Sequence, residues 1–342
     1  MLAEVETPVV IVGFGNADEI VKCVTAIGEQ RGCPRIGVFI CENGGPAAFD
    51  ALISALSNPG GPCADVAAAL DPGGFVRTRR LRLAGAPVPV TVGLARENLG
   101  FPGGVNAWIR PLLAERGWSG VWILNPDTWP QPDALAELID FVAKRRKGMV
   151  SSRVMFPDRS DIASSRGLKF RKLTASEIGV DIFAPVSPAP DPDDVERRID
   201  SPTGVSFYVT RACIDQIGLM DESYWLYWED FDWGVRAKAV CGIGYAHNSV
   251  VPHIGGSSSG AVGNRVQRSP SSVYLKNRNK LHFVRRHHPR WFAWTVLVSF
   301  LRSGEFLAAG STRNFVAAVR GLIAGLRGEK GRPEVAPNRA RV

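Results

Sequence analysis

None of the six cysteines forms a CxxC pair, and they follow no regular spacing. That absence excludes a zinc or disulfide framework, which needs ligands at set separations, and leaves Cys23, Cys33, Cys41, Cys63, Cys213 and Cys241 as buried free thiols. No secretory signal precedes the first apolar run, so a reducing, cytoplasmic setting is expected. Nor does any apolar run approach the roughly 20 residues that span a bilayer. "GFGNAD", near the start, lacks the third glycine of a dinucleotide fingerprint because Asp18 stands in its place, which disfavours hydride transfer. No internal repeat is visible.

Acidic residues are scarce towards the end of the chain. From Arg265 onward 16 Lys and Arg face three acids, Glu305, Glu329 and Glu334, so the net charge of +8 conceals an acidic body and a basic tail. Nucleic-acid recognition is not expected, because basic readers carry their charge on a folded reading element with a recognisable motif. The tail instead interleaves its arginines with Trp291, Phe292, Trp294, Leu297, Phe300 and Leu301. Two readings stay open for it: a helix lying on an anionic membrane surface, peripheral on the inner face of the cytoplasmic membrane, or a helix packed on the main body with its arginines solvated.

What is present reads as alternating strands and helices. "TPVVIVGFGN", "RIGVFICENGG", "VPVTVG", "GVWILNPD" and "MVSSRVMF" are compact apolar runs, and helical periodicity separates the first of them. Continuous apolar strands alternating with helices predict an α/β fold, a mostly parallel sheet covered on both faces. Residues 58–87, rich in Pro, Gly and Arg, are expected to form a surface excursion with little regular structure, and residues 158–198 a variable loop or hairpin region. "SVVPHI" reads as an edge strand because Pro252 cannot donate to a ladder. Tail helices are expected from about residue 272 to 328, broken near Gly304 and Gly310, beyond a boundary that divides the chain into 1–264 and 265–342.

Four stretches could carry chemistry. In open α/β sheets ligands gather at the carboxyl ends of strands. Asp127 in "ILNPD" falls just past such an end, where a carboxylate can ligate Mg²⁺ or Mn²⁺ or merely cap a turn. "ENLGFPGGVN" offers glycines and, after Gly104, a helix start whose amides could meet an anion. "ESYWLYWEDFDWGVR" loads carboxylates onto an aromatic strip. Asp232 and Arg236 stand at i,i+4 spacing and explain each other, which leaves Glu229 and Asp230 without an evident partner. The aromatics read either as core or as the wall of a sugar site. His253, before a Gly/Ser-rich stretch, is either a hydrogen-bonded structural histidine or a ligand for a manganese-like ion.

Taken in order from Val9 to Gly260, "VVIVGFGN", "VFICENGG", "ENLGFPGGVN", "WILNPD", "GVSFYVTRACIDQIGLMDESYWLYWEDFDWGVR" and "VVPHIGGSSSG" resemble glycosyltransferase family 2. Its members are inverting enzymes of the GT-A fold, and the similarity is to the branch that includes rhamnosyl- and galactofuranosyltransferases. The resemblance implies a divalent metal held by Asp127 and His253, with Asn125 in place of the first acid of a DxD motif, and Asp230 as catalytic base. It implies base contacts from Glu42 and Asn43, and positions near the nucleotide and diphosphate for Gly13, Asn98, Phe101, Gly104 and Asn106. Gly204, Trp228 and Glu229 fall on the acceptor side. The implied partners are a nucleotide-sugar donor, first of all dTDP-rhamnose, and a lipid-linked or polysaccharide acceptor of envelope glycan synthesis. UDP-linked sugars, a non-catalytic nucleotide-binding scaffold and a nucleotidyltransferase are the competing readings.

Overall fold

A computed structural model describes residues 5–66, 73–254 and 266–333. In chain order the first half runs β1 (Thr7–Gly13), α1 (Ala17–Gly28), β2 (Ile36–Glu42), α2 (Pro46–Ser57), β3 (Cys63–Asp65), β4 (Phe75–Leu83), β5 (Pro89–Ala95), α3 (Gly100–Leu113), β6 (Gly120–Leu124) and α4 (Ala134–Arg145). The second half runs β7 (Met149–Phe156), β8 (Arg159–Ala163), β9 (Gly167–Arg171), β10 (Ser176–Val180), α5 (Pro192–Arg198), β11 (Ser206–Thr210), α6 (Arg211–Ile217), α7 (Glu229–Val240) and β12 (Ile243–Pro252). Three helices close the chain: α8 (Pro270–His287), α9 (Phe292–Ala308) and α10 (Thr312–Arg327).

One sheet runs in the order β12-β7-β11-β6-β1-β2-β5-β4-β3, with β8 beside β7. Its centre, β6-β1-β2-β5, is parallel, as the apolar runs require, while β11 joins β6 and β7 antiparallel and β4 joins β5 antiparallel. Each face of the sheet carries its own apolar cluster, one around Trp108 and Trp233, the other around Ile20, Leu52 and Trp122. β12 lies at the sheet's edge and carries Pro252, as its sequence predicts.

Three expectations need correction. Residues 58–87 are not a featureless excursion, because β4 pairs along most of β5 and β3 caps it. Its inward residues Phe75, Leu81 and Leu83 are buried, and the arginines between them mask the alternation. The tail breaks fall at residues 288–291 and 309–311, and Gly304 lies inside α9. Helix α3 begins at Gly100, so Gly104 sits in its second turn, where amides are already bonded along the helix. The expected division at 264/265 lies outside the described residues, yet α8 is no appendage: Phe283 and Val284 share a buried cluster with Tyr224, Trp228 and Phe231.

The attachment is polar as well as apolar. Between Tyr224 and Glu229 the backbone takes an uncommon course, with Trp225, Tyr227 and Trp228 all at positive φ (64°, 68° and 78°). Such conformations cost bulky residues about 1–3 kcal/mol each and persist only where surroundings impose them. Here α8 imposes them. The buried Asn279 donates through Nδ2 to the carbonyls of Tyr224, Leu226 and Tyr227 at 2.8–2.9 Å, and Arg278 Nη2 donates to Tyr224 O at 3.1 Å. We expect Asn279→Ala, which removes the side-chain donor from the Leu226 and Tyr227 carbonyls and one of several from Tyr224 O, to lower unfolding free energy by about 2–4 kcal/mol in urea titrations. Asn279→Asp, which supplies acceptors where donors are needed, should be no milder.

Candidate active site

The sequence-predicted residues separate into those the structure gathers at one end of the sheet and those it employs elsewhere. Past β6, Asn125 N donates to Val205 O at 2.9 Å, tying the Asp127 turn to the start of β11. Beyond it Thr128 pairs as an isolated bridge with His253, and Ile254 N donates to Asp127 O at 3.3 Å. Side chains follow backbone: His253 Nε2 lies 3.1 Å from Asp127 Oδ1. That nitrogen is buried and makes no well-formed hydrogen bond. Among the described residues no third His, Cys, Asp or Glu joins them as a metal-binding group. An imidazole nitrogen and a carboxylate oxygen side by side suit a borderline divalent ion such as Mn²⁺, which completes its shell with water and phosphate oxygens.

Asp230 reaches the same neighbourhood through Gly204, the residue before Val205. A Cβ at Gly204 would overlap the Asp230 carboxylate, so only glycine leaves room for it. Asp230 Oδ1 accepts from Phe231 N at 2.8 Å, a contact typical of a helix start. Among the described residues no Lys, Arg or His lies within ion-pair distance of it. Burial raises its pKa above the ordinary value, partly offset by helix-start amides and by the charge of Lys276. Glu229 beside it is buried, with Oε2 lacking any hydrogen-bond partner. Burial first and the Asp230 charge second push Glu229 well above its ordinary 4.5.

The other acids of this stretch are accounted for by ion pairs. Asp232 is fully buried, yet a 2.6 Å contact with His287 and the charges of Arg236 and Arg286 hold it ionised, below its usual range. The expected Asp232–Arg236 pair is present at 2.9 Å. Glu222 pairs with Arg110, and Asp221 with Arg286 and His282. Of the aromatics, Tyr224 and Trp228 are core, whereas Trp225 and Tyr227 are half-buried. Trp228, expected at the acceptor, is therefore packing: its ring meets Phe231 and Phe283, and its Nε1 donates to Lys276 O.

At the nucleotide end Glu42 keeps a ligand-ready geometry. Oε1 accepts from Gly15 N and Gly44 N at 3.0 and 2.7 Å, while Oε2 is buried without a partner. Burial raises its pKa against those two amides. Gly13 makes space for that carboxylate, since a Cβ there would stand 2.7 Å from Oε2. Asn43, Asn98, Phe101, Gly104 and Asn106 do other work. Asn43 accepts from Leu99 N and donates to Gly100 O. Asn98 Oδ1 takes Gly100 N, its carbonyl takes Trp225 Nε1, and Phe101 N donates to Trp225 O. Asn106, fully buried, donates to Met220 O and Glu222 and accepts from Met220 N. Gly104 lets α3 pack on Val12, and Gly100 at φ 71° lets it meet the Trp225 carbonyl. At the actual start of α3 the Gly100 and Phe101 amides are thus engaged, the second on the Trp225 carbonyl of the aromatic strip. Nothing in spacing could reveal this, because the partners lie up to 127 residues away.

Residues that sequence reasoning passed over border Asp230. Lys276, whose Nζ sits 4.8 Å from the Tyr227 ring centroid, and Lys280 stand one turn apart on α8, and Glu177 comes from β10. Their i,i+4 spacing in "YLKNRNKLHF" was the available signal. A separate open cavity of about 420 Å³, lined by Asp221, His282, Arg285, Arg286 and Lys330, contains none of the predicted residues.

No family model matches the chain. It is 23% identical over 251 residues to the low-salt glycan biosynthesis hexosyltransferase Agl10 of Haloferax volcanii, covering 69% of this chain and 76% of that protein. It is 25% identical over 236 residues to the N-acetylglucosaminyl-diphospho-decaprenol L-rhamnosyltransferase of Mycobacterium tuberculosis, covering 63% and 75%. In fold it is similar to S. aureus TarS 1–349 crystallised with UDP-GlcNAc, with a TM-score of 0.53 at 12% identity, over 95% of this chain and 81% of that one. Fold and relatives together define a GT-A glycosyltransferase, an enzyme of the hexosyltransferase class. Within that class family 2, which the motifs resemble, is consistent with these relatives.

The Glu229 environment sets a pH dependence. A carboxyl whose pKa is raised by folding favours the native state below its ordinary pKa, and that advantage disappears as pH climbs through the raised value. Glu229→Gln, which cannot ionise, should therefore melt at a higher temperature than the parent at pH 8 but not at pH 4, as calorimetry would show.

Proposed function

We propose that the chain transfers a sugar with inversion from a nucleotide-sugar donor to a hydroxyl of a phosphate-bearing lipid-linked acceptor. The observation that supports this reading is the Asp127–His253 contact past β6, with Asp230 set against Gly204, whose neighbour Val205 accepts from Asn125 N. Asp230 would accept the acceptor hydroxyl's proton as that oxygen attacks the anomeric carbon from the face opposite the leaving diphosphate. A single base suffices, unlike the two carboxylates of a glycoside hydrolase. Burial raises its pKa above the ordinary aspartate value, which makes it a stronger base than a solvated carboxylate. Asp127 and His253 would hold the divalent ion, whose chemistry is to offset charge on the departing diphosphate. With Glu42 Oε1 held by two amides, the unpartnered Oε2 would accept an N–H from the nucleobase. dTDP-rhamnose is the first donor, by the sequence resemblance and by the rhamnosyltransferase relative, with UDP-linked sugars behind it.

The tail's surface supports a membrane-facing orientation. Helix α9 is turned inside out: Thr295, Ser299 and Ser303 are buried, while Trp294, Leu297, Phe300 and Leu301 are 44–65% exposed. Exposed Arg290, Arg302, Arg313 and Arg320 flank that apolar strip. An apolar helix face rimmed by arginine matches an anionic bilayer surface. Among the described residues no helix is long and apolar enough to cross a membrane.

Two measurements test these assignments. Asp230→Asn should bind donor but lose about 10²–10⁴-fold in transfer rate, whereas Asp127→Ala should abolish the metal-dependent part of donor binding in calorimetry with and without Mn²⁺. Undiminished transfer by the first variant would overturn the base assignment. Vesicles containing anionic lipid should sediment the protein, neutral vesicles should not, and Leu297→Asp with Phe300→Asp should release it. Retention of that double variant on the vesicles would remove the membrane reading.

A further inference from the structure

On its α8 side Asp230 faces a set of cations that the reading above does not use. Trp228, two residues before Asp230, donates from Nε1 to Lys276 O at 3.1 Å, which sets that turn of α8 against the start of α7. One turn on, Lys280 Nζ lies 3.1 Å from Ser299 Oγ on the buried polar stripe of α9. Glu177 arrives from the β9–β10 hairpin. It stands directly opposite Phe170 in the pairing, and Phe170 packs on Trp228, so Glu177 projects from the same face towards the same place. Its side chain is exposed to solvent.

Among the described residues no carboxylate lies within 4.0 Å of Lys276 or Lys280, while Arg302, which also bears on Lys280, is paired with Glu305. Two donors are left over: Arg268 Nε and Thr295 Oγ1 are buried with no partner, and Thr295 is itself 0% exposed, one turn from Ser299. Burial and the Arg302 charge push the Lys280 ammonium down to about 8, and burial lowers Lys276 likewise. The acids whose charge bears on these lysines are Glu177 on both, Asp230 on Lys276 and Glu305 on Lys280. An arriving anion would satisfy the unpartnered donors and favour the charged form of both ammonium groups.

We propose that Lys276 and Lys280, with Arg268 and Thr295, form a subsite for the phosphate or diphosphate of the acceptor, on the α8 side of Asp230. This inference rests on the transferase reading and adds the feature of the acceptor by which it is recognised. The phosphate lies beside the base, so the hydroxyl of the sugar it carries can reach Asp230. The inside-out α9 joins the same subsite, through Ser299 and Thr295, to the apolar strip on its outer surface.

The test uses octyl diphosphate as probe, titrated calorimetrically into the full chain in EDTA, so that no cation at Asp127 and His253 contributes. The parent protein should bind it, and the double variant Lys276→Met with Lys280→Met, which keeps the apolar stems, should bind at least tenfold more weakly. Lys276→Arg with Lys280→Arg should recover most of the loss. Absence of binding to the parent, or equal binding by the Met variant, overturns the subsite. So does an equal weakening towards octyl glucoside, which has no phosphate, or towards UDP, which would assign the cations to the donor. Binding is read without turnover, so an Asp230→Asn protein that still transfers sugar would undo the proposed base while leaving this result standing.

Discussion

Asn279 gripping three carbonyls of the aromatic loop is the contact on which the rest of the site depends. Trp225, Tyr227 and Trp228 hold positive-φ conformations that bulky side chains avoid, and α8 supplies donors that compensate, joined by Phe101 N of α3 on the Trp225 carbonyl. From that fixed loop three consequences spread. The Trp225 carbonyl and indole latch the start of α3, Trp228 seats α8 against α7, and the first turn of α7 presents Glu229 and Asp230. The strain is stored locally, yet it positions groups drawn from four elements.

The charge on the strip that seemed excessive sorts into two kinds. Asp221, Glu222 and Asp232 are anchors, each engaged by a cation from another helix or from one turn on. Glu229 and Asp230 have no such anchor and rely on burial and helix-start amides instead. Anchored acids stay ionised and structural, whereas burial raises the pKa of the unanchored ones above the ordinary carboxylate value.

Local patterns made the parallel centre legible. The apolar runs ending at Gly13, Glu42 and Leu124 read as buried strands because both of their faces are covered. The antiparallel flank was hidden because β4 alternates Leu with Arg, so its composition resembles loop although its spacing does not. Within the site, Asp127 and His253 could be selected for standing at strand ends, Asp230 for lacking a local partner, and Asp232 set aside for having one. Asn43, Asn106 and Trp228 misled for the opposite reason: they donate to carbonyls far along the chain, and backbone acceptors leave no trace in side-chain spacing. Glu177 and Lys276 escaped notice because a hairpin and a tail helix must first fold back before they stand near Asp230.

The isolated pairing of Thr128 with His253 also bears on how two side chains are held. Two segments 125 positions apart are stitched by main-chain bonds, so the Asp127 carboxylate and the His253 imidazole are brought side by side by backbone alone. On the proposed reading a divalent ion would meet two ligands whose spacing is set by the sheet edge rather than by a loop that must close.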